Sequence, residues 1–142
     1  MRYLAAFLIA ATPAQAWEFS PTPVCTISET DGDMTVEVTY DPRQDQAYAI
    51  AMSGTQWPAG PVFAIQFGPP GGGLLITTDR HRLSPDGTTL SVSDRGFGNV
   101  LNGLASFDTA YFALGETVRA VPLDSAEKAV EAFRACIAAP LS

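Results

Sequence analysis

Short strand-like runs separated by turn residues constrain the fold of this chain more than any other feature. In MTVEVTY, residues 34–40, apolar and polar side chains alternate strictly. Because side chains on a strand point alternately to its two faces, this run predicts a strand with one buried face and one wet face. Residues 24–29 form a second run, and Asp31-Gly32 between the two favours a tight turn. Together they predict a β-hairpin.

More runs of this kind follow, with Gly, Pro or Asp between them. They predict strands over residues 47–53, 62–67, 73–78, 88–94, 107–114 and 117–123. Short strands at close spacing are typical of an antiparallel sandwich or barrel.

Two segments have the pattern of helices. The clearer one follows Asp124 and Glu127, whose spacing indicates a capping box, and its apolar residues recur at helical spacing. Residues 97–104 predict a shorter helix, which their glycines weaken. We therefore expect an α+β, mostly β fold: an antiparallel sandwich or open barrel of about eight strands closed by one C-terminal helix.

The first sixteen residues have the pattern of a signal peptide. MRYLAAFLIAATPAQA contains one Arg, a short apolar run and an A-x-A site at Ala14 to Ala16. The alternative, a membrane anchor, needs about 20 apolar residues, roughly twice what this run offers. We expect a signal peptide over residues 1–16, a single domain over residues 17–142 in the periplasm, and no membrane span after cleavage.

The two cysteines, Cys25 and Cys136, are interpreted in the light of export. In an oxidising compartment they most simply form one disulfide, while free or intermolecular thiols are the alternative. They are not a C-x-x-C pair, and a single histidine cannot complete a Cys/His zinc set. The predicted disulfide would attach the C-terminal helix to the first strand.

Charge excludes some partners. The chain carries 15 acidic and 8 basic residues, a net charge of −7. A negative protein without a basic stripe is repelled by phosphate backbones and anionic membrane surfaces. We therefore expect no nucleic-acid partner.

The glycine-rich stretch GPPGGG, residues 68–73, resembles a phosphate loop only superficially. A P-loop needs a Lys and a hydroxyl residue after its last glycine, and Leu74-Leu75 follow here. Its two prolines also remove amide donors. The stretch therefore predicts a turn between two strands.

The segment Asp79-Arg80-His81-Arg82 holds the only histidine. With Arg95 across the next strand, Arg80, His81 and Arg82 are the best candidates for a polar binding site, here for a small anion. An alternative is a small hydrolase in which His81 acts as general base beside Asp79, although no G-x-S-x-G elbow surrounds any serine. The plainest interpretation is a solvated turn with local salt bridges.

Acidic residues near the first turn, Glu29, Asp31, Asp33 and Glu37, suggest a calcium loop. Their spacing lacks the alternation and closing Glu that such a loop requires. We expect no metal and no cofactor.

Trp17 and Trp57 lie in segments without strand character. Exposed aromatic residues often mark contact surfaces. Packing at an open end of the β-domain is the favoured role.

Three stretches resemble known groups of proteins. WEFSPTPVCTI, TTDRHRLSPDGTTLSVSDRGFGNVLNGL and VPLDSAEKAVEAFRACI resemble short exported alphaproteobacterial proteins that carry an "excinuclease ABC" label. A true excision-repair component of that name is a far longer cytoplasmic ATPase with a P-loop, so the label does not describe this chain. The last stretch is also similar to the invasion-associated locus B family of β-rich periplasmic proteins. That resemblance implies an envelope or host-interaction role and assigns no functional residues.

These observations favour a small periplasmic binding or envelope-associated protein without a catalytic motif. The expected partner is an envelope protein or a small anion.

Overall fold

The computed structural model describes residues 16–139, which form ten strands and two helices. In chain order the elements are β1 (Glu18–Ser20), β2 (Cys25–Asp31), β3 (Met34–Tyr40), β4 (Tyr48–Ser53), β5 (Phe63–Phe67), β6 (Leu74–Thr78), β7 (Arg82–Leu83), β8 (Thr89–Asp94), α1 (Gly98–Ser106), β9 (Thr109–Leu114), β10 (Thr117–Pro122) and α2 (Ala126–Ala138).

The strands form two antiparallel sheets. One has six strands in the order β1-β2-β3-β4-β8-β7, and the other has four in the order β10-β9-β5-β6. The sheets face each other as a sandwich rather than closing into a barrel. The predicted mostly β fold with a C-terminal helix is therefore confirmed as a sandwich, with ten strands instead of about eight because the short strands β1 and β7 were not expected.

The alternation in β3 has the predicted effect. Met34, Val36 and Val38 are buried, while Glu37 between them is exposed. The preceding turn is tight because Asp31 pairs with Met34, and Gly32 adopts a positive φ of 61° that favours glycine. The predicted β2–β3 hairpin is confirmed.

The core lies between the two sheets. Its largest fully buried side chains come from both layers, among them Ile50 and Met52 from the six-stranded sheet and Phe63 and Phe112 from the other. Burying each such side chain contributes roughly 1.5–3 kcal/mol. This apolar layer holds the sandwich together.

Both tryptophans belong to the core. Trp17 is 4% exposed and Trp57 is 2% exposed. Their indole N–H groups donate to the Pro122 carbonyl at 3.0 Å and the Met52 carbonyl at 3.3 Å. Because a buried N–H needs a partner, these bonds offset the loss of water at the two indoles, and the packing role is confirmed.

The helix α1 lies close against β5. A Cβ built on Gly103 would lie 2.3 Å from the Phe67 ring. Glycine is therefore required here for close approach of helix and sheet, although it weakens the helix itself. The expected short helix is confirmed, and it buries Val100, Leu101 and Leu104.

The helix α2 closes one end of the molecule and carries the disulfide. Cys25 and Cys136 are bonded, with Cα atoms 6.0 Å apart and a sequence separation of 111. Phe133, one turn before Cys136, is fully buried. The predicted attachment of the helix to the strand that carries Cys25 is confirmed, but this strand is β2 and not the first, because β1 precedes it.

The predicted capping box at the start of α2 is wrong. The N-cap residue is Ser125, with a positive φ of 65° and no side-chain hydrogen bond to the helix. An N-cap side chain normally reaches the first amides from extended backbone, which Ser125 does not have. The Asp124 carbonyl instead accepts a bond from the Trp17 backbone N–H at 3.4 Å.

The glycine-rich stretch joins β5 to β6 as predicted. Gly68 and Gly71 have positive φ angles of 70° and 80°. Hairpin connections use such angles, and glycine adopts them without steric cost. The turn prediction is confirmed.

Most of the predicted signal peptide lies outside the described residues, since only Ala16 of it is included. Within residues 16–139, neither helix has the length and apolar character to cross a membrane.

Candidate anion-binding site

Two serines of β8 lie on the outer side of the six-stranded sheet. In β8, Leu90 is fully buried in the sandwich. Ser91 and Ser93 have the opposite parity and face outward. Ser91 pairs with Arg82 on β7, the last strand of this sheet. An arginine and two hydroxyl groups therefore meet at the sheet edge.

These residues line a small pocket of about 350 Å³. Arg80 and His81 reach it from the connection between β6 and β7, and Gln46 from the connection between β3 and β4. Its complete lining is Gln46, Arg80, His81, Arg82, Ser91 and Ser93. The structure thus brings together three of the four predicted site residues.

The guanidinium groups of Arg80 and Arg82 form no ion pair within residues 16–139. Both residues are exposed at the pocket. The hydrogen bonds of His81 in this part of the chain do not include Asp79, its expected partner. The pocket therefore presents two positive charges on a negatively charged protein.

Arg95, the fourth predicted site residue, does not line the pocket. Its Nη2 atom lies 3.0 Å from Oδ2 of Asp45, and the two form an exposed ion pair. Asp41 is paired in the same way with Arg43, at 2.9 Å, and this lowers the pKa of the Asp41 carboxyl. Asp41 and Asp45 line a neighbouring pocket together with Arg82, but the ion pairs that they form are with Arg43 and Arg95.

His81 forms part of the pocket wall. Its Nε2 atom lies 2.8 Å from the Gly60 carbonyl oxygen. A carbonyl only accepts hydrogen bonds, so Nε2 carries the hydrogen and donates it. Nδ1 is buried and has no partner within the described part of the chain. Neither ring nitrogen is therefore placed to take a proton from a molecule in the pocket.

The chemistry of this site suits an oxyanion. Two guanidinium groups offer charged donors that match phosphate, sulfate or carboxylate oxygens. The Ser91 and Ser93 hydroxyls and the Gln46 amide add neutral donors. The arrangement supplies binding groups, and the histidine in its wall is not oriented as a base toward either hydroxyl.

A larger cleft of about 820 Å³ lies beside the disulfide. Its walls include Pro21, Pro23 and Tyr40, and its charged side chains are Asp41 and Arg43. Because those two are paired with each other, the charges of this cleft compensate each other. The smaller pocket is the better candidate.

The acidic residues considered for calcium do not converge. Glu29 faces the core, Glu37 faces outward from β3, and Asp33 pairs with Arg119 of the other sheet. The Arg119 guanidinium holds the pKa of Asp33 below its usual value. No group of three potential metal ligands occurs among residues 16–139.

Glu29 is an unusual buried acid. Its side chain is 4% exposed, and Oε2 has no hydrogen-bond partner among the described residues. Burial raises the pKa of its carboxyl, and repulsion from Asp31 adds to the effect. The charged form is therefore disfavoured in the folded state.

The variant Glu29→Gln should be more stable than the original protein at neutral pH, by about 1 kcal/mol. Because the folded pKa is raised, stability is lost as pH rises from the ordinary Glu range through the folded pKa, and the loss is complete above it. The advantage of Glu29→Gln should therefore vanish in acid. Urea unfolding across a pH series measures the difference in unfolding free energy between the variant and the original protein. Glu37→Gln, on the outer face of β3, is the control, and an equal gain in that variant would contradict the prediction.

Comparisons with known proteins assign no role to this site. No family model, no curated protein and no solved structure matches this chain.

Sequence reasoning missed Gln46, Ser91 and Ser93 as partners of the arginines. The parity of β8 places both serines on one face, and this was visible in the sequence. The pairing of β7 with β8 was not visible in the sequence, because a strand of two residues is too short to show alternation of buried and exposed side chains.

Proposed function

We propose that this protein is an exported binding module that takes a small oxyanion in the pocket of Arg80 and Arg82. The observation that carries the proposal is the pair of guanidinium groups beside the Ser91 and Ser93 hydroxyls, neither of which is ion-paired within residues 16–139. Phosphate, sulfate and short carboxylates share the chemistry that these donors recognise.

Two further features support the proposal. The Cys25–Cys136 disulfide is consistent with an oxidising compartment such as the periplasm. Asp41 and Asp45, which line a neighbouring pocket together with Arg82, are paired with Arg43 and Arg95, and this pairing reduces their repulsion of a bound anion. Export and the resemblance to envelope proteins belong to the same proposal.

The hydrolase alternative has less support. It needs His81 to accept a proton from a substrate or nucleophile. Nε2 is occupied by the Gly60 carbonyl, and Nδ1 is buried. In this proposal His81 forms part of the pocket wall and does not act as a base.

Binding of inorganic phosphate, sulfate and succinate should be saturable when measured by isothermal titration calorimetry. Arg82→Ala should weaken the preferred anion about tenfold or more, because a hydrogen bond to a charged group is worth about 1.5–3 kcal/mol. Affinity should also fall with added sodium chloride, as expected for exposed charges.

Arg134→Ala is the matched control, since it removes an exposed arginine of α2, and no residue of α2 lines the pocket. It should leave the affinity unchanged. Absence of saturable binding for all three anions, or equal weakening by Arg82→Ala and Arg134→Ala, would refute the proposed site.

A further inference from the structure

The outer face of the four-stranded sheet is apolar. Within the described chain, four large hydrophobic side chains are exposed; three of them lie on strands of this face, and Val62 directly precedes β5. They are Val62 at 48%, Leu75 at 59%, Tyr111 at 36% and Val118 at 59% exposure. A sheet with one buried face normally turns polar and charged residues to water. This face carries the polar Gln66 and Thr77 but no charged residue in the paired positions described next.

The strand register arranges the face in two rows across the sheet. The first row runs Val118, Ala113, Ala64, Thr77, and the second runs Ala120, Tyr111, Gln66, Leu75. Neither row contains Asp, Glu, Lys or Arg. In a chain with a net charge of −7, an uncharged area with three exposed large hydrophobic side chains is a candidate contact surface.

Each strand contributes one larger and one smaller side chain to the two rows. Tyr111 and Ala113 alternate in β9, and Leu75 and Thr77 alternate in β6. In β10 the order is reversed, because the larger Val118 lies in the first row and the smaller Ala120 lies in the second. The face therefore has this relief: larger side chains form a raised area, and smaller side chains beside them leave a recess.

This relief is complementary to itself. A half-turn about an axis between two copies, parallel to the rows, places the second row of one copy over the first row of the other. Tyr111 then meets Ala113 of the second copy, and Leu75 meets Thr77 of the second copy. Such a two-fold contact uses the same patch twice, as isologous dimers do. It also buries no charge.

We propose that this face is a homodimer interface, occupied by a second copy of the chain packed sheet on sheet. Four strands about 4.8 Å apart and five residues about 3.4 Å apart give an area of roughly 300 Å². A stable complex buries about 800 Å² per partner. The dimer is therefore weak and reversible, and it forms at high protein concentration. It is independent of the anion pocket, which lies on the other sheet.

Sedimentation equilibrium of the disulfide-bonded protein over a concentration series tests the proposal. A monomer–dimer equilibrium is expected, and Leu75→Glu should weaken it at least about tenfold, since it places a charge in an apolar contact. Thr30→Glu, exposed on the outer face of the six-stranded sheet, is the control and should dimerise normally. Val118→Glu repeats the test on β10 in case the first variant folds poorly.

The register gives a sharper test. An equal mixture of Leu75→Glu and Thr77→Lys should form a heterodimer more tightly than either variant forms a homodimer, because the two new charges meet across the two-fold axis. The proposal is overturned if the protein stays monomeric throughout, if Leu75→Glu and Val118→Glu both dimerise normally, or if the mixture shows no recovery. Leu75-dependent binding to phosphatidylcholine vesicles without a dimer would also overturn it.

Discussion

Replacing both Cys25 and Cys136 by serine should lower the free energy of unfolding by about 4–5 kcal/mol. The disulfide joins residues 111 positions apart, nearly the whole described chain. Cross-linking so long a loop restricts the unfolded chain strongly, and that restriction is lost when the bond is removed. Since domains of this kind are stable by only about 5–15 kcal/mol, the variant should be marginal at 37 °C, about body temperature.

Urea unfolding of the oxidised protein and the double-serine variant measures this difference. Dithiothreitol should destabilise the original protein to a similar extent and leave the variant unaffected. Phosphate binding should persist in the folded fraction, because the pocket residues lie on neither β2 nor α2. A loss below about 1 kcal/mol would contradict the proposed strong restriction of the unfolded chain by the disulfide.

Phe133→Ala should cost about 3–5 kcal/mol of stability. Phe133 is fully buried on α2, where the helix packs against β1, β2 and α1. Removing its ring deletes apolar contacts and leaves a cavity that a disulfide-anchored helix cannot close by moving inward. Thermal and urea unfolding both report the change.

Glu131→Ala is the matched control, because it alters an exposed position on the same helix. Its effect should stay within about 0.5 kcal/mol. If Phe133→Ala also falls in that range, the helix contributes much less to the core than its burial indicates.

The local patterns predicted the strands well where they were long. The bounds of β3 match the prediction over residues 34–40, because alternation of buried and exposed side chains is a property of consecutive residues. The strands β1 and β7 were missed for the opposite reason. With three and two residues they have no period, and they exist only because β2 and β8 offer free edges to pair with.

The α2 start shows a different limit. Asp124 and Glu127 have the spacing of a capping box, but Ser125 is held in a left-handed conformation and makes no side-chain cap. The docking of Trp17 on the Asp124 carbonyl and the burial of Ala126 are tertiary contacts. Such contacts outweigh the roughly 1 kcal/mol that a cap supplies.

By itself, the sequence determined the mostly β fold, the β2–β3 hairpin, the turn at residues 68–73 and the Cys25–Cys136 pairing. These follow from side-chain periodicity, from glycine's backbone freedom and from the presence of only two cysteines. The tertiary structure alone decided that Arg80 and Arg82 line one pocket with Ser91 and Ser93. It also decided that Arg95 forms an ion pair with Asp45. The same holds for the shared exposed face of Leu75, Tyr111 and Val118. The physical reason is that these relations depend on pairing between strands far apart in the chain, which no local pattern encodes.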